Sequence, residues 1–263
     1  DSLAGLDLTS PTEVAPTTPF QETAPHAPRP IVGPNVDKWF EKLILGSEGV
    51  LYEDVQIQVG IKSRYQGHMG QLAIYFGNKI TAPLTSFIAA IHVADPDALS
   101  VSFAKIPPNS IDARSQSQQL LNIECKKVFT QPPILTISFL AGSHQTVSIR
   151  LPIVITKFFE HVKLNQADFF ERWKLIGGPP REAQAIFPIE LAANGQLDLK
   201  KNRDVVSGNR LNILDDIDPN PNNLVAAGVL HMSLDGKVGC LLRLEPNQEA
   251  KVSGCHKTRF ISN

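Results

Sequence analysis

Alternating apolar and polar residues fill the first half of the chain and predict β-strands. Residues 55–59 (VQIQV) alternate strictly, which is the period of a half-buried strand, and residues 50–52 lead into them. Six further runs have the length of strands and are separated by turn signals: residues 72–76, 85–93, 99–103, 120–125, 134–139 and 146–151. About eight short antiparallel strands predict an immunoglobulin-like β-sandwich.

After Phe159 the pattern changes to a helical period. Asn165 is a suitable N-cap, and Asp168 stands three residues later, where a carboxylate complements the helix dipole. These residues predict a helix over residues 166–176, ended by Gly177 and Gly178. A second helix is predicted over residues 180–187, and strands over residues 205–214, 224–232 and 238–244. The second half is therefore predicted to be a small α+β subdomain, an antiparallel sheet with helices.

Residues 1–36 have the composition of a linker, rich in Ser, Thr, Pro, Ala and Glu. They contain few apolar residues to offset the entropy lost on ordering, so we expect a disordered hinge. The chain begins with Asp1 and not with Met, which is expected of a fragment of a longer protein.

The overall composition argues against several classes of function. The 263 residues are 42% hydrophobic and carry a formal net charge of -1, which gives no strong field for nucleic acid or an anionic membrane. The densest basic cluster, residues 200–203, is interpreted as a solvated loop or strand end. Cys125, Cys240 and Cys255 have neither zinc spacing nor an even number, which favours a reducing compartment. No stretch has the length of a transmembrane helix, and the first residues lack a signal-peptide pattern.

No familiar catalytic or metal-binding motif is found in the sequence: there is no phosphate loop, HExxH, CxxC or GxSxG. His92 and His231 have apolar neighbours and are interpreted as core or edge residues. Asp215, Asp216 and Asp218 predict a turn and not a metal site, because the glycine and terminal glutamate of a calcium loop are missing. We expect no cofactor and no enzymatic activity. An enzyme with dispersed catalytic residues is the alternative.

The predicted helix over residues 166–176 contains three aromatic side chains. At 100° per residue, Phe169, Trp173 and Ile176 form one stripe, and Phe170 lies between that stripe and the polar face. Such a stripe is commonly part of a core. Alternatively, Phe169 anchors the helix while Phe170 and Trp173 form an exposed surface beside two basic residues, which would suit an acidic partner. Helical spacing alone leaves both interpretations open.

Nine segments, taken in order and spacing, are similar to one known family. They are residues 49–53 (GVLYE), 60–63 (GIKS), 75–79 (YFGNK), 122–125 (NIEC), 151–153 (LPI), 157–159 (KFF), 168–174 (DFFERWK), 218–222 (DPNPN) and 239–247 (GCLLRLEPN). Over residues 38–250 the chain resembles the appendage, or ear, domain of alpha-adaptin, the large subunit of the plasma-membrane clathrin adaptor complex. Ears of other adaptor complexes are the alternative. The resemblance implies a hinge over residues 1–36, a sandwich over residues 37–157 and a platform over residues 158–263.

The resemblance also implies a non-enzymatic function. Family members recruit endocytic accessory proteins by binding short motifs in their disordered tails, and they join other adaptor subunits through a trunk that precedes the hinge. The expected location is the cytoplasmic face of the plasma membrane, in clathrin-coated pits. A structural or scaffolding module without a peptide pocket is the alternative.

Two binding sites are implied by the resemblance. The platform site takes Asp-Pro-Phe, Asp-Pro-Trp and Phe-x-Asp-x-Phe motifs, and its positions correspond to Phe170, Trp173, Glu182, Arg243 and Glu245. There the guanidinium can pair with the aspartate of the motif. The sandwich site takes Trp-x-x-Phe motifs, and its positions correspond to Gly60, Lys62, Tyr75 and Gln116. The family usually has Phe where this chain has tyrosine, which keeps the stacking surface and adds a hydroxyl.

The end of the chain departs from the family pattern. After residue 250 the family continues with a strand that bears arginines and then a closing helix. The expected basic positions fall on Gly254 and Thr258, and Arg259 is out of register with them. We therefore expect either a truncated or alternative product, or an incomplete platform with an unpaired sheet edge.

Overall fold

A computed structural model describes residues 27–178, 181–183, 185, 195, 198–246 and, as backbone, 258–260. The described residues form three helices: α1 (Pro34–Leu45), α2 (Gln166–Ile176) and α3 (Leu199–Gly208). They also form the strands β1 (Glu48–Glu53), β2 (Ile57–Gln66), β3 (Met69–Asn78), β4 (Thr85–His92), β5 (Leu99–Lys105), β6 (Gln116–Cys125), β7 (Ile134–Ala141), β8 (Ser143–Arg150), β9 (Phe159–His161), β10 (Asn212–Ile213), β11 (Leu224–His231), β12 (Lys237–Leu244) and β13 (Thr258–Phe260). None of the helices in this part of the chain is long and apolar enough to cross a bilayer.

The first eight strands form a sandwich of two antiparallel sheets. One sheet has the order β1-β2-β3-β6-β5 and the other has the order β4-β7-β8. Alternation along the strands places one face of each sheet inside, as at Val59, Ile74 and Phe76, which are fully buried. The rings of Phe87 and Phe139 stack between the sheets with centroids 6.2 Å apart. The predicted immunoglobulin-like sandwich is confirmed.

Helix α1 precedes the sandwich and was not predicted. Pro34 lies in its first turn, where the missing N–H costs nothing, and Phe40 and Leu43 are buried against the sandwich. Upstream of the helix, the backbone N–H of Ile31 donates to the Ser148 carbonyl at 2.8 Å. Residues 31–36, which were predicted to be hinge, are therefore part of the folded structure.

The platform is an antiparallel sheet between two helices. Its strand order is β10-β11-β12-β13, and β9 also pairs with β11, next to β10 on the same edge. Helix α2 packs on one face of the sheet, over Val225, Ala227 and Leu241. Helix α3 packs on the other face through Val206. Because β11 is covered on both faces, its sequence is almost wholly apolar.

The predicted strand over residues 205–214 is wrong in its first half. Helix α3 continues to Gly208, and only the two residues of β10 are strand. The Asp198 carboxylate caps this helix by accepting from the backbone N–H of Lys201 at 2.9 Å. The β-branched pair Val205 and Val206 suggested a strand, but the N-cap and tertiary packing decide for helix. The basic cluster of residues 200–203 therefore lies on a helix and not in a loop or strand end.

The second predicted helix, over residues 180–187, lies largely outside the described residues. Arg181, Glu182, Ala183 and Ala185 are described, and none of these four residues is helical.

The expected unpaired edge of the platform is covered in part. The short strand β13 pairs with β12, with Arg259 opposite Leu241 and Phe260 opposite Cys240. The sheet edge is therefore paired over these positions, which corrects the expectation. Gly254 and Cys255 lie outside the described residues.

The sandwich and the platform meet at a polar junction. The Glu160 carboxylate in β9 accepts from the backbone N–H of Gly67, in the β2–β3 turn, at 3.0 Å. Its other oxygen lies 2.9 Å from His231 Nε2 in β11. One side chain thus connects a sandwich turn to the central platform strand. His231 takes part in this junction through its contact with the Glu160 carboxylate.

Candidate functional site

Helix α2 carries Phe170 and Trp173, two of the five platform candidates, and has the predicted bounds. The Asn165 side chain accepts from the backbone N–H of Asp168 at 2.8 Å, and Gly177 ends the helix with φ 67° in the left-handed region. Gln166 Nε2 donates to the Ile217 carbonyl at 2.9 Å. That contact ties the start of the helix to the loop that precedes Asp218.

The three aromatic residues of α2 differ in burial. Phe169 is fully buried. The Trp173 ring stacks on it at 5.4 Å between centroids, and the Phe170 ring meets it edge to face at 5.4 Å. Phe170 and Trp173 are only partly buried, against the core cluster around Phe169. The buried ring is thus the anchor, and each of the other two keeps part of its surface exposed.

Strand register puts Arg243 on the same face of the sheet as helix α2. Leu241 faces α2, and Arg243 follows it by two residues, which is the period of one sheet face. Its directly paired neighbour on β11, Val225, also packs against the α2 cluster. The structure therefore places this arginine on the aromatic side of the platform.

The Arg243 guanidinium is bound by two carboxylates of its own chain. Its Nε donates to Asp218 Oδ2 at 2.6 Å, and its Nη1 donates to Glu245 Oε1. These contacts use two of the five N–H donors of an arginine. A ligand aspartate would meet a guanidinium that is held in position.

Asp218 is the buried partner of the Arg243 guanidinium. Its side chain is 4% exposed, and its second oxygen accepts from the backbone N–H of Asn220 at 2.9 Å. Burial by itself raises the pKa of this carboxyl, but hydrogen bonds from Arg243, Asn220 and Asn223 outweigh burial and lower the pKa. The carboxylate therefore stays charged beside the guanidinium.

Glu182 lies in the segment after α2 and is partly buried. Among the five platform candidates, Phe170 and Trp173 both contact the buried ring of Phe169. Arg243 pairs with Glu245.

The four sandwich candidates lie on the outer face of one sheet. Gly60 is directly opposite Tyr75 in the β2–β3 register, and Lys62 follows on the same face of β2. Gln116 of β6 is opposite Gly77, two residues beyond Tyr75 on the same face of β3. The neighbouring residues on each strand point into the core, so these four positions share one outward surface.

Gly60 leaves space beside the Tyr75 ring. A Cβ at Gly60 would meet only the Gly49 carbonyl oxygen, at 3.7 Å, so packing does not require a glycine there. Gly77, two residues from Tyr75, has similar space. Tyr75 therefore has a glycine as its directly paired neighbour on β2 and another glycine two residues along its own strand, and its residue is partly exposed.

Lys62 pairs with Glu48 of β1 at 3.1 Å, and both side chains are more than 60% exposed. Such an exposed pair is worth little to stability, because solvent screens it. The lysine can therefore exchange this partner for a ligand carboxylate at small cost. The sequence did not predict Glu48 at this surface.

The acidic loop before Pro219 has partners within the protein. Asp215 pairs with Arg203 at 2.8 Å and Asp218 with Arg243. Within the described part of the chain, no group of three or more His, Cys, Asp or Glu side chains is placed to hold a metal ion. The sequence predicted a turn in this loop but not the pairing of Asp218 with Arg243, because no local sequence pattern relates residues 25 positions apart.

Comparison with known proteins places this fold in a family. A family model described as the adaptin C-terminal domain matches residues 47–152. A second, described as the alpha adaptin AP2 C-terminal domain, matches residues 157–255. The two matches correspond to the sandwich and to the platform.

Full-length relatives give the same result. The chain is 39% identical over 223 residues to the AP-2 complex subunit alpha-2 of Dictyostelium discoideum, a match that covers 81% of this chain and 21% of that protein. It is 33% identical over 212 residues to the AP-2 complex subunit alpha-1 of Arabidopsis thaliana, covering 80% of this chain and 20% of that protein. It is 28% identical over 239 residues to the AP-2 complex subunit alpha of Schizosaccharomyces pombe, covering 88% and 26%.

The chain thus spans about a fifth of the length of the Dictyostelium and Arabidopsis relatives. With a sandwich and a platform each matched by an adaptin C-terminal model, the chain belongs to the family of alpha-adaptin C-terminal, or appendage, domains.

Proposed function

We propose that this chain is a non-enzymatic clathrin-adaptor appendage that recruits endocytic accessory proteins. Its platform binds short Asp-Pro-Phe, Asp-Pro-Trp and Phe-x-Asp-x-Phe motifs, and its sandwich binds Trp-x-x-Phe motifs. It acts in the cytoplasm at clathrin-coated pits and is joined to the other adaptor subunits through the rest of a longer alpha subunit. The relatives named above, all AP-2 alpha subunits, support the adaptor part of this proposal.

The observation that carries the platform assignment is the arrangement of Phe170 and Trp173 around buried Phe169. Both rings are held in place by the same buried ring, so little conformational entropy is lost when a motif side chain packs on them. Arg243 lies on the same side of the sheet, and its N–H donors that are not used by Asp218 and Glu245 can bond the aspartate of the motif. Glu182 and Glu245 are the proposed polar supports of this site.

The sandwich assignment is supported by the open ring of Tyr75. Gly60 is directly opposite Tyr75, Gly77 lies two residues along the same strand, and Lys62 and Gln116 are on the same outer face. Aromatic motif side chains can pack on this ring, and the lysine can meet an acidic residue of the motif.

A peptide titration tests the platform site. An Asp-Pro-Phe peptide is titrated into the wild type, Trp173→Ala and Leu175→Ala by isothermal calorimetry. Leu175 is the matched control because it lies on the opposite face of the same helix and is 71% exposed. We expect dissociation constants in the micromolar range for the wild type and Leu175→Ala, since a short disordered peptide loses entropy on binding. Trp173→Ala should bind at least about tenfold more weakly.

Equal binding by the wild type and Trp173→Ala, with both proteins folded, would remove the platform assignment. If Trp173→Ala and Leu175→Ala weakened binding equally, a general effect on helix α2 would explain the loss and the assignment would also fail.

The sandwich site has a separate test. Gly60→Val places a β-branched side chain against Tyr75 in a strand position that has room for it. The variant should lose about tenfold in affinity for a Trp-x-x-Phe peptide and keep its affinity for the Asp-Pro-Phe peptide. Unchanged binding of the Trp-x-x-Phe peptide would show that the ligand does not use the face at Gly60.

A further inference from the structure

A cleft of about 260 Å³ lies at the junction of helix α1, strand β2 and helix α3. The lining residues include three basic ones: Arg64, Lys157 and Arg210. The hydroxyl-bearing residues Ser47 and Ser63 also line it. None of the nine proposed motif-binding residues is among the lining residues, so the cleft is a separate feature of the molecule.

Lys157 is a buried cation at the wall of this cleft. Lys157 is 5% exposed, and its Nζ donates to the carbonyl oxygens of Leu43 at 2.9 Å and Gly46 at 2.6 Å. Both acceptors are neutral. Burial, with a smaller contribution from the Arg210 charge, lowers the pKa of Lys157 to about 8, so the ammonium is still mostly protonated at neutral pH.

Arg210 brings a second positive charge to the same place. Its Nε donates to the Phe159 carbonyl at 2.9 Å and its Nη2 to the Tyr65 carbonyl at 3.4 Å, and both of these partners are also neutral. Its backbone has φ 62°, in the left-handed region that an arginine rarely adopts. Arg64 is also a lining residue, but its guanidinium bonds the amide oxygen of Gln71, its directly paired neighbour on β3, and so lies on the other face of β2 from Ser63 and Tyr65.

The positive charge of the cleft exceeds what the surrounding helices need. The carboxyl ends of α1 and α3 both reach the cleft, at Gly46 and Gly208, and each helix end carries about half a negative charge. Lys157 and Arg210 carry two positive charges. Among the described residues, no carboxylate lies within ion-pair distance of Arg64, Lys157 or Arg210. A buried charge without a counter-ion is unfavourable, so the cleft favours an anion.

We propose that this cleft is an anion site that binds a phosphate group, either as free phosphate or as the headgroup of a lipid monophosphate. The surplus of about one positive charge favours an anion such as a phosphate group. The Ser47 hydroxyl supplies a neutral donor at the same wall, whereas the Ser63 hydroxyl donates to the Ser47 carbonyl at 3.2 Å. Tetrahedral oxygens can accept from ammonium, guanidinium and hydroxyl groups together.

The test uses one position with two nearly isosteric replacements. Ser47 is exposed, so its replacement should leave the fold intact. Ser47→Asp puts a carboxylate at the cleft, and Ser47→Asn is the neutral control of the same shape. Inorganic phosphate is titrated into each protein at constant ionic strength, and binding is followed by NMR shifts of the backbone amides of residues 45–47, 63–65 and 208–210. Unfolding midpoints of all three proteins are measured in parallel.

We expect saturable binding near about 1 mM phosphate for the wild type and Ser47→Asn, and at least about tenfold weaker binding for Ser47→Asp. The source of the phosphate is separated by vesicles of phosphatidylcholine with phosphatidic acid. Sedimentation with them, competed by inorganic phosphate, identifies a lipid headgroup, and no sedimentation with retained phosphate binding identifies a soluble phosphate. Absence of saturation up to about 20 mM, or equal affinities for the two Ser47 variants, would overturn the site.

Discussion

The Nε of Arg243 donates to the buried carboxylate of Asp218 at 2.6 Å and links strand β12 to the loop before Pro219. The side chain of Asp218 is 4% exposed and that of Arg243 is 30% exposed, so the pair is only partly screened by solvent. The aspartate fixes the guanidinium on the side of the sheet where Phe170 and Trp173 lie. The geometry of the platform site therefore depends on a residue that no ligand needs to touch.

Replacing Asp218 should lower stability. Asp218→Asn keeps the side-chain shape but removes the charge beside Arg243, and we expect a loss of about 1–3 kcal/mol in the free energy of unfolding. Chemical denaturation measures this loss. Asp216→Asn is the matched control, because Asp216 is exposed and its φ of 59° suits asparagine equally well. Equal losses in both variants would show that the pair with Arg243 contributes nothing.

The same carboxylate predicts an acid-sensitive contribution to stability. The pKa of Asp218 is lowered in the folded state, so the unfolded state binds more protons below its own pKa of about 3.9. The contribution is thus complete above about pH 4 and is lost as the pH falls through the folded pKa. Denaturation of the wild type and Asp218→Asn between about pH 2 and 6 should give curves that converge at the acid end. A constant difference across that range would contradict this expectation.

Phe169 and Phe170 should respond differently to truncation. Phe169→Ala removes a fully buried ring that both other aromatics contact, and we expect a loss of about 3–5 kcal/mol in the free energy of unfolding. Phe170→Ala removes a partly exposed ring and should cost clearly less, while it weakens binding of the Asp-Pro-Phe peptide. Denaturation and calorimetry on both variants separate the two roles. Equal destabilisation by the two substitutions would show that Phe170 is a core residue.

Lys157 should make stability rise at alkaline pH. Its pKa of about 8 in the folded state lies below 10.5, the ordinary value, so the unfolded state holds more protons between these limits. The free energy of unfolding should increase across that window, by about 3 kcal/mol at most. Lys157→Met should abolish this rise, whereas Lys42→Met, at an exposed position of α1, should retain it. Parallel curves for the wild type and Lys157→Met would contradict the assignment.

The Glu160 carboxylate should keep the pKa of His231 higher than it would be without this contact across the junction of the two subdomains. Burial lowers the pKa of His231 and outweighs the Glu160 carboxylate, which acts in the opposite direction, while Lys237 and His68 add to the lowering. Glu160→Gln should therefore lower the pKa of His231 further. NMR titration of the histidine side chains measures this change, with His92 of β4 as an internal reference. Because the folded pKa lies below the unfolded value, stability should rise with pH up to about 6.5, more steeply in the variant. An unchanged pKa of His231 would show that the ion pair does not form.

The sequence by itself determined the elements that depend on neighbouring residues. Alternation and turn signals predicted about eight sandwich strands, because burying one face of a strand requires apolar side chains at every second position. The strand predicted from residue 55 begins only at Ile57, because the Asp54 carboxylate accepts from the backbone N–H groups of Gln56 and Ile57 and holds a turn there. Asn165, Asp168 and Gly177 predicted helix α2 with its observed bounds, since caps act within one turn. The order and spacing of short segments were enough to indicate the family.

Tertiary structure alone decided the features that join distant residues. Val205 and Val206 lie in helix α3 despite their β-branched side chains, because one face of this helix packs on the platform sheet. The pairing of Arg243 with Asp218 depends on how strand β12 is aligned with its neighbours, and the convergence of Lys157 and Arg210 depends on how α1 and α3 approach the sandwich. Local patterns select helices and strands, whereas register and packing between elements bring charges together, and these depend on contacts between residues far apart in the chain.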